Sequence, residues 1–169
     1  MIDYFSDIQI TVAHALAEDV RSGDITAQII DKSTKAAAHV IAREDALVCG
    51  RPWVDEVAKQ VDDTLQLKWR INDGEKVRAG EQIFSIEGSA RSILTAERTM
   101  LNFLQSLSGT ATQTQRYVAL IKDTKAAILD TRKTIPGLRV GQKYAVNMGV
   151  AVNHRIGLFD AFLIKENHI

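Results

Sequence analysis

Apolar residues recur at helical spacing over 8–20, where Ile8, Val12, Ala15, Leu16 and Val20 share one face. The turn Arg21-Ser22-Gly23-Asp24 ends that helix, and Ile25–Ile30 follows as a short extended segment. Ala38–Ile41 and Leu47–Cys49 are strand-like, and Arg43-Glu44-Asp45 between them suggests a hairpin-like connection. Pro52 suits the first turn of a second helix, with Trp53, Val54, Val57 and Val61 as its apolar stripe. The pattern then changes period. Leu65 to Ile71 alternates every second residue, as a half-buried strand does, and Ile83–Ile86 is another strand. Asn72-Asp73-Gly74 and Arg78-Ala79-Gly80 are turns between them.

Residues 92–107 carry the strongest helical signal. Ile93, Met100, Leu101, Leu104 and Leu107 cover one face, while Arg98, Asn102 and Gln105 share another. Gly109 is expected to interrupt, with helical material resuming up to Lys122–Lys125. Beyond it the rhythm is βα: strand Ala126–Leu129, polar loop Asp130–Thr134, a helix from Pro136-Gly137 through Met148, and a buried strand Phe159–Ile164. Such alternation predicts parallel strands joined by helical crossovers, with a site on the loops after the strands' C-terminal ends. A whole barrel of that kind takes roughly 250 residues. The expected fold class is α/β: an α+β sandwich over 1–113, then the first strands of an α/β barrel over 114–169. The DGExVxxGExIFxIEG pattern of 73–88 resembles the hammerhead sheet of biotinyl and lipoyl carriers. No lysine lies between Lys76 and Lys122 to be modified, so a structural sheet is expected instead.

Net charge is zero over 169 residues, but from Asp130 onward six Lys/Arg face three Asp/Glu. That balance disfavours bulk nucleic-acid or membrane binding and favours a local anion site. Cys49 is the single cysteine, which excludes an intramolecular disulfide and fits a reducing compartment. The acidic N-terminus lacks the features of a secretory signal, and no apolar run approaches the roughly 20 residues that span a bilayer. The cytoplasm is the expected location.

The candidate chemistry sits at the ends of the late apolar runs. Arg132 offers a bidentate fork for carboxylate or phosphate, Lys133 a point charge, and Thr131 a neutral donor. A solvated turn could carry the same three residues. Lys165 follows a run expected to be buried, so its charge faces either a ligand or a partner such as Asp130 or Glu166. His154-Arg155 fits a plain βα repeat less well, because it would precede a strand. The long segment 150–158 therefore carries either an extra strand or an excursion back toward the site.

Four stretches together resemble one family: EDVRSGDIT (18–26), LTAERTMLNFLQSLSGTAT (94–112), LDTRKTIPGLRVGQKYAV (129–146) and VNHRIGLFDAFLIKENHI (152–169). They are similar, in order and spacing, to the quinolinate phosphoribosyltransferases. The resemblance implies an enzyme of pyridine-nucleotide biosynthesis that joins quinolinate to phosphoribosyl pyrophosphate, with Mg2+ present, and releases pyrophosphate and carbon dioxide. It also implies that Arg132, Arg155 and Lys165 hold quinolinate carboxylates, with Thr131 and His154 alongside. Lys133 would lie near the reacting centre, and Arg98 would reach a neighbouring subunit's site in a homodimer. Family members continue past Ile169 with acidic and glycine-rich elements for the donor and metal. Residues 1–169 are accordingly expected to contain no metal ligands and to turn over negligibly alone. The alternatives are a related molybdenum-locus protein and a non-catalytic binding or dimerisation fragment.

Overall fold

The computed structural model describes residues 2–169. Helix α1 (Ile8–Asp19) lies against α2 (Arg51–Val61), and α2 against the long α3 (Ala90–Leu120). A three-stranded antiparallel sheet has the order β1 (Lys35–Ile41), β5 (Gln82–Ser89), β3 (Gln66–Trp69). Ala38 faces Ile86 in one pair and Trp69 faces Phe84 in the other. A two-stranded ribbon, β2 (Ala46–Leu47) with β4 (Lys76–Val77), sits beside it. Trp53, Val54 and Val57 from α2 meet Phe84 and Ile86 from β5 and Ala96, Leu104 and Leu107 from α3 in one continuous core. Each fully buried large side chain there contributes about 1.5–3 kcal/mol.

Three local expectations change in three dimensions. Ile25–Ile30 is not extended: Asp24 Oδ1 accepts the Ala27 N–H at 2.9 Å, closing a turn that runs into a short 3-10 segment, Ala27–Ile29. β1 and β2 form no hairpin with each other. β5 takes the place beside β1, with a register shift between Val40 and Ile41, and β2 pairs with β4 instead. Gly109 does not interrupt α3, which continues unbroken through residue 113. Packing of Leu107 and Ala111, both fully buried, offsets the roughly 1 kcal/mol that an interior glycine costs.

The βα part begins where α3 ends. Leu129 and Val152 make a single parallel bridge, in which Val152 N–H donates to Ile128 O at 3.0 Å and Asp130 N–H to Val152 O at 3.2 Å. Of the two readings of 150–158, an extra strand or an excursion toward the site, the structure has a single bridged residue, Val152, which pairs with Leu129. The run Phe159–Ile164, by contrast, forms no strand, and Phe159 and Phe162 are 89% and 98% exposed. An apolar run becomes a buried strand only when a ladder partner and a covering layer meet it. No described residue supplies either.

Between the bridge partners lies α4 (Arg139–Met148), which packs closely on α3. A Cβ on Gly149 would stand 2.7 Å from Ala111 O and 2.6 Å from Thr114 Cβ, so only glycine permits this approach. The helix closes with Val150 in the left-handed region at φ 66°. Ala151 N–H returns to Val146 O and Val150 N–H to Asn147 O, a pattern that usually takes glycine at the position Val150 fills. Val150→Gly is expected to raise unfolding free energy by about 0.5–1 kcal/mol, the left-handed strain less the entropy of glycine. Gly149→Ala is expected to lower it by about 1–3 kcal/mol through overpacking. Urea denaturation of both variants checks the pair.

Two carboxylates tie the sandwich together. Hydrogen bonds from the Thr64 and Ser92 hydroxyls and the Thr64 N–H hold Asp62 below the usual carboxylate range. The Ala27 N–H and then the Thr95 hydroxyl do the same for Asp24. A carboxyl lowered in the folded state contributes stability above its unfolded pKa of about 3.9 and loses it as pH falls through the lowered value. Asp62→Asn should therefore flatten the fall in urea midpoint below about pH 4 relative to the unmodified protein. An unchanged acid slope would refute this.

Candidate active site

The bridge between Leu129 and Val152 brings two loops side by side, Asp130–Thr134 and Asn153–Ile156. Asp130 joins them. One oxygen, Oδ1, accepts the His154 N–H at 2.7 Å and the Lys143 Nζ at 2.6 Å; the other, Oδ2, accepts Asn153 Nδ2 at 2.8 Å. The carboxylate thus extends the strand pairing one step beyond the main-chain ladder. Lys143 comes from α4, is 1% exposed, and also donates to His154 O at 3.1 Å. Asn153 gives a second bond to Lys143 O at 2.9 Å and accepts from the Tyr4 hydroxyl. Burial first and the Asp130 charge second push the Tyr4 phenol above its ordinary range.

On this frame Thr131, Arg132 and Lys133 occupy one loop and His154 and Arg155 the other. Thr131 Oγ1 accepts the Lys133 N–H at 3.0 Å, which curls the first loop. Arg132 is half-buried, and its Nε is shut from solvent with no hydrogen-bond partner among the described residues. A buried guanidinium N–H without an acceptor is costly. Arg155 Nη1 donates to Ala161 O at 2.9 Å, and the Ile156 N–H to Asp160 Oδ2 at 2.8 Å. Arg139, at the start of α4, spans the two loops by donating to Thr134 Oγ1 at 3.1 Å and Ile156 O at 3.3 Å.

Neither Lys165 nor Arg98 hydrogen-bonds by its side chain to these loops among the described residues. Lys165 is exposed and makes no ion pair among the described residues; Asp130, one of its expected partners, belongs to Lys143. Arg98 is exposed on α3, likewise without an ion pair or side-chain hydrogen bond among the described residues. The sequence reading missed Lys143, Arg139, Asn153 and Tyr4. Asn153, adjoining His154, and Lys143, a lysine on the buried side of an amphipathic helix, left weak signals; Tyr4 left none. The Mg2+ implied by the resemblance finds no group of three His, Cys, Asp or Glu able to hold it among the described residues, and Asp130 is already filled by donors.

Behind the loops, an aromatic cluster fixes α4 on the sandwich. The Tyr144 ring lies 5.5 Å from Trp53 and from Tyr4 and 5.6 Å from Phe5. Tyr144 donates its hydroxyl to Asp73 Oδ2 at 2.9 Å, while Asp73 Oδ1 receives the N–H groups of Gly50 and Arg51 and so caps α2. Desolvation raises the Asp73 carboxyl above the usual range in spite of these donors.

These elements make an α/β architecture in which a cationic pair of loops lies beyond one end of a parallel bridge. The chain belongs to the quinolinate phosphoribosyl transferase family: the family's N-terminal domain matches residues 24–108 and its C-terminal domain residues 110–169. It is 43% identical over 166 residues to the nicotinate-nucleotide pyrophosphorylase of Mycobacterium leprae, covering 94% of this chain and 57% of that one. It is 42% identical to quinolinate phosphoribosyltransferase 1b of Nicotiana tabacum, covering 96% and 47%. The solved nicotinate-nucleotide pyrophosphorylase of Francisella tularensis superposes with a TM-score of 0.94 at 51% identity, over all of this chain and 60% of that one. The chain spans about half the length of the curated relatives it matches.

Tyr144→Phe removes the donor to Asp73 and leaves a buried carboxylate short of a partner. A loss of about 1.5–3 kcal/mol in unfolding free energy is expected, the range for a hydrogen bond to a charged group. Chemical denaturation measures it, with Tyr117→Phe, an exposed tyrosine on α3, as the control.

Proposed function

We propose that the protein acts as a quinolinate phosphoribosyltransferase, in which the loops 130–134 and 153–156 bind the quinolinate carboxylates. The observation that carries this reading is the buried, partnerless Nε of Arg132, set beside the His154-Arg155 loop in a family whose substrate is a pyridine dicarboxylate. Arg132 forms the forked contact with one carboxylate, and Arg155 and Lys165 supply charge for the other, with Thr131 and His154 as neutral donors. Among the described residues Arg155 is held by a main-chain carbonyl alone, which an anion displaces readily.

The reaction follows from charge. The ring nitrogen's lone pair forms a bond to the ribose anomeric carbon as the carbon–oxygen bond to pyrophosphate breaks. The ring is then cationic, and the adjacent carboxylate leaves as carbon dioxide; its bonding electrons stay on the ring carbon, which takes a proton. Lys133 lies near the reacting centre and offsets the donor's negative charge. Mg2+ arrives with phosphoribosyl pyrophosphate rather than on these residues. The protein works in the cytoplasm as a homodimer, with Arg98 of each subunit completing the site of the other.

The test is release of carbon dioxide from carboxyl-labelled quinolinate by the full-length protein, dependent on phosphoribosyl pyrophosphate and Mg2+. Arg132→Met should lower kcat/KM for quinolinate by at least about 100-fold, the worth of a lost charge-assisted bidentate contact. Release that is absent, or untouched by this substitution, refutes the proposal.

A further inference from the structure

We propose that Lys143 is a positioning residue of the anion site: by serving as the counter-ion of Asp130 it keeps that carboxylate from Arg132 and leaves Arg132 free for the ligand. The inference rests on the reading of the two loops as an anion site.

The problem Lys143 solves is set by the fold. Asp130 is needed where it stands, because its carboxylate accepts the His154 N–H and Asn153 Nδ2 and so fixes the spacing of the two loops. It also stands two residues before Arg132 in the chain. A carboxylate there would otherwise pair with the nearest arginine, and an unpaired anion at that position would repel an anionic ligand. Lys143 meets both difficulties from behind. It reaches Asp130 Oδ1 at 2.6 Å from α4, out of contact with solvent, and its second bond goes to the carbonyl of His154, the residue whose N–H Asp130 accepts. The result is one cation consumed and its neighbour spared: Arg132 Nε is without a partner although the acid lies two residues away. A buried ion pair adds little net stability relative to apolar residues of the same shape. Its presence at the joint of two cation-bearing loops is explained by what it does for them.

The inference separates charge compensation from mere structural support. In the full-length protein, Lys143→Met leaves Asp130 charged and unpaired, and the Kd for quinolinate should rise about tenfold or more. Asp130→Asn combined with Lys143→Met removes both charges. Asn keeps an acceptor for the His154 N–H but sets an NH2 against Asn153 Nδ2, so Kd should fall several-fold from that of Lys143→Met without returning fully to the unmodified value. Calorimetric titration reads both, at a temperature where circular dichroism shows each variant folded. Lys143→Met binding as well as the unmodified protein, or no recovery in the double variant, overturns the inference. Should Lys143→Met not fold, Asp130→Asn and the double variant are compared: equal Kd values are expected, and about tenfold weaker binding by the double variant overturns it. If the unmodified protein itself binds no quinolinate, the functional reading fails separately. Hydrogen exchange of the His154 amide without ligand then decides: faster exchange in Lys143→Met, restored in the double variant, is expected, and unchanged exchange overturns it.

Discussion

The arrangement of the site depends on one buried carboxylate. Asp130 is almost wholly removed from water, and an ion so placed is tolerated only when donors replace its hydration. Three converge on it: an ammonium from α4, and the Asn153 side-chain amide and His154 main-chain N–H from the neighbouring loop. Because the donors come from two segments other than its own, satisfying the carboxylate fixes α4, that loop and Asp130 relative to one another. The main-chain bridge between Leu129 and Val152 is short, and it would leave the loops beyond it free to splay. The carboxylate supplies the missing step of pairing.

The frame is held to the sandwich by a second carboxylate with the opposite geometry. Asp73 reaches from a turn of the sheet region to the N-terminus of α2, where the orphan N–H groups of a helix favour an anion, and takes the Tyr144 hydroxyl from α4 with its other oxygen. Aromatic packing of Tyr144 with Trp53, Tyr4 and Phe5 supplies the apolar contact around that bond. Together with the close approach at Gly149, these contacts set α4 on α3 and thereby set the ammonium of Lys143. Stability of the sandwich and geometry of the loops are therefore coupled through one helix.

The sequence disclosed those features whose cause is local. Periodicity located α1, α2 and α3, the Pro136-Gly137 signal preceded α4, and the turns ending in Gly74 and Gly80 have the positive φ that only glycine adopts freely. Residues Thr131, Arg132 and Lys133 were visible as a loop, and the uncertainty over 150–158 pointed toward the strand-like element that carries His154-Arg155 to their side. What failed depended on partners distant in sequence. β1 and β2 look like a hairpin because they are adjacent, yet β5 arrives later and takes the place beside β1. Phe159–Ile164 has a strand's composition, but composition does not supply a neighbour. Lys143 was missed because a lysine in an amphipathic helix is ordinarily a solvated charge. Its burial follows from Asp130, and pairing the two requires the fold.

Separation along the chain also orders the contacts. Lys143 and Asp130 are 13 residues apart, Asn153 and Asp130 are 23 apart, and Tyr4 and Asn153 are 149 apart. Loop closure costs more as the separation grows, so the first two contacts form within the unit 130–154 at little entropic expense. The Tyr4 contact is of another kind. It joins the two ends of the chain, and the Tyr4 ring packs on Tyr144 of α4 beside it. The carboxylate clamp is therefore a local device secured by a remote one. Loosening the N-terminal segment removes the Tyr4 hydrogen bond from Asn153, the residue that also donates to Asp130.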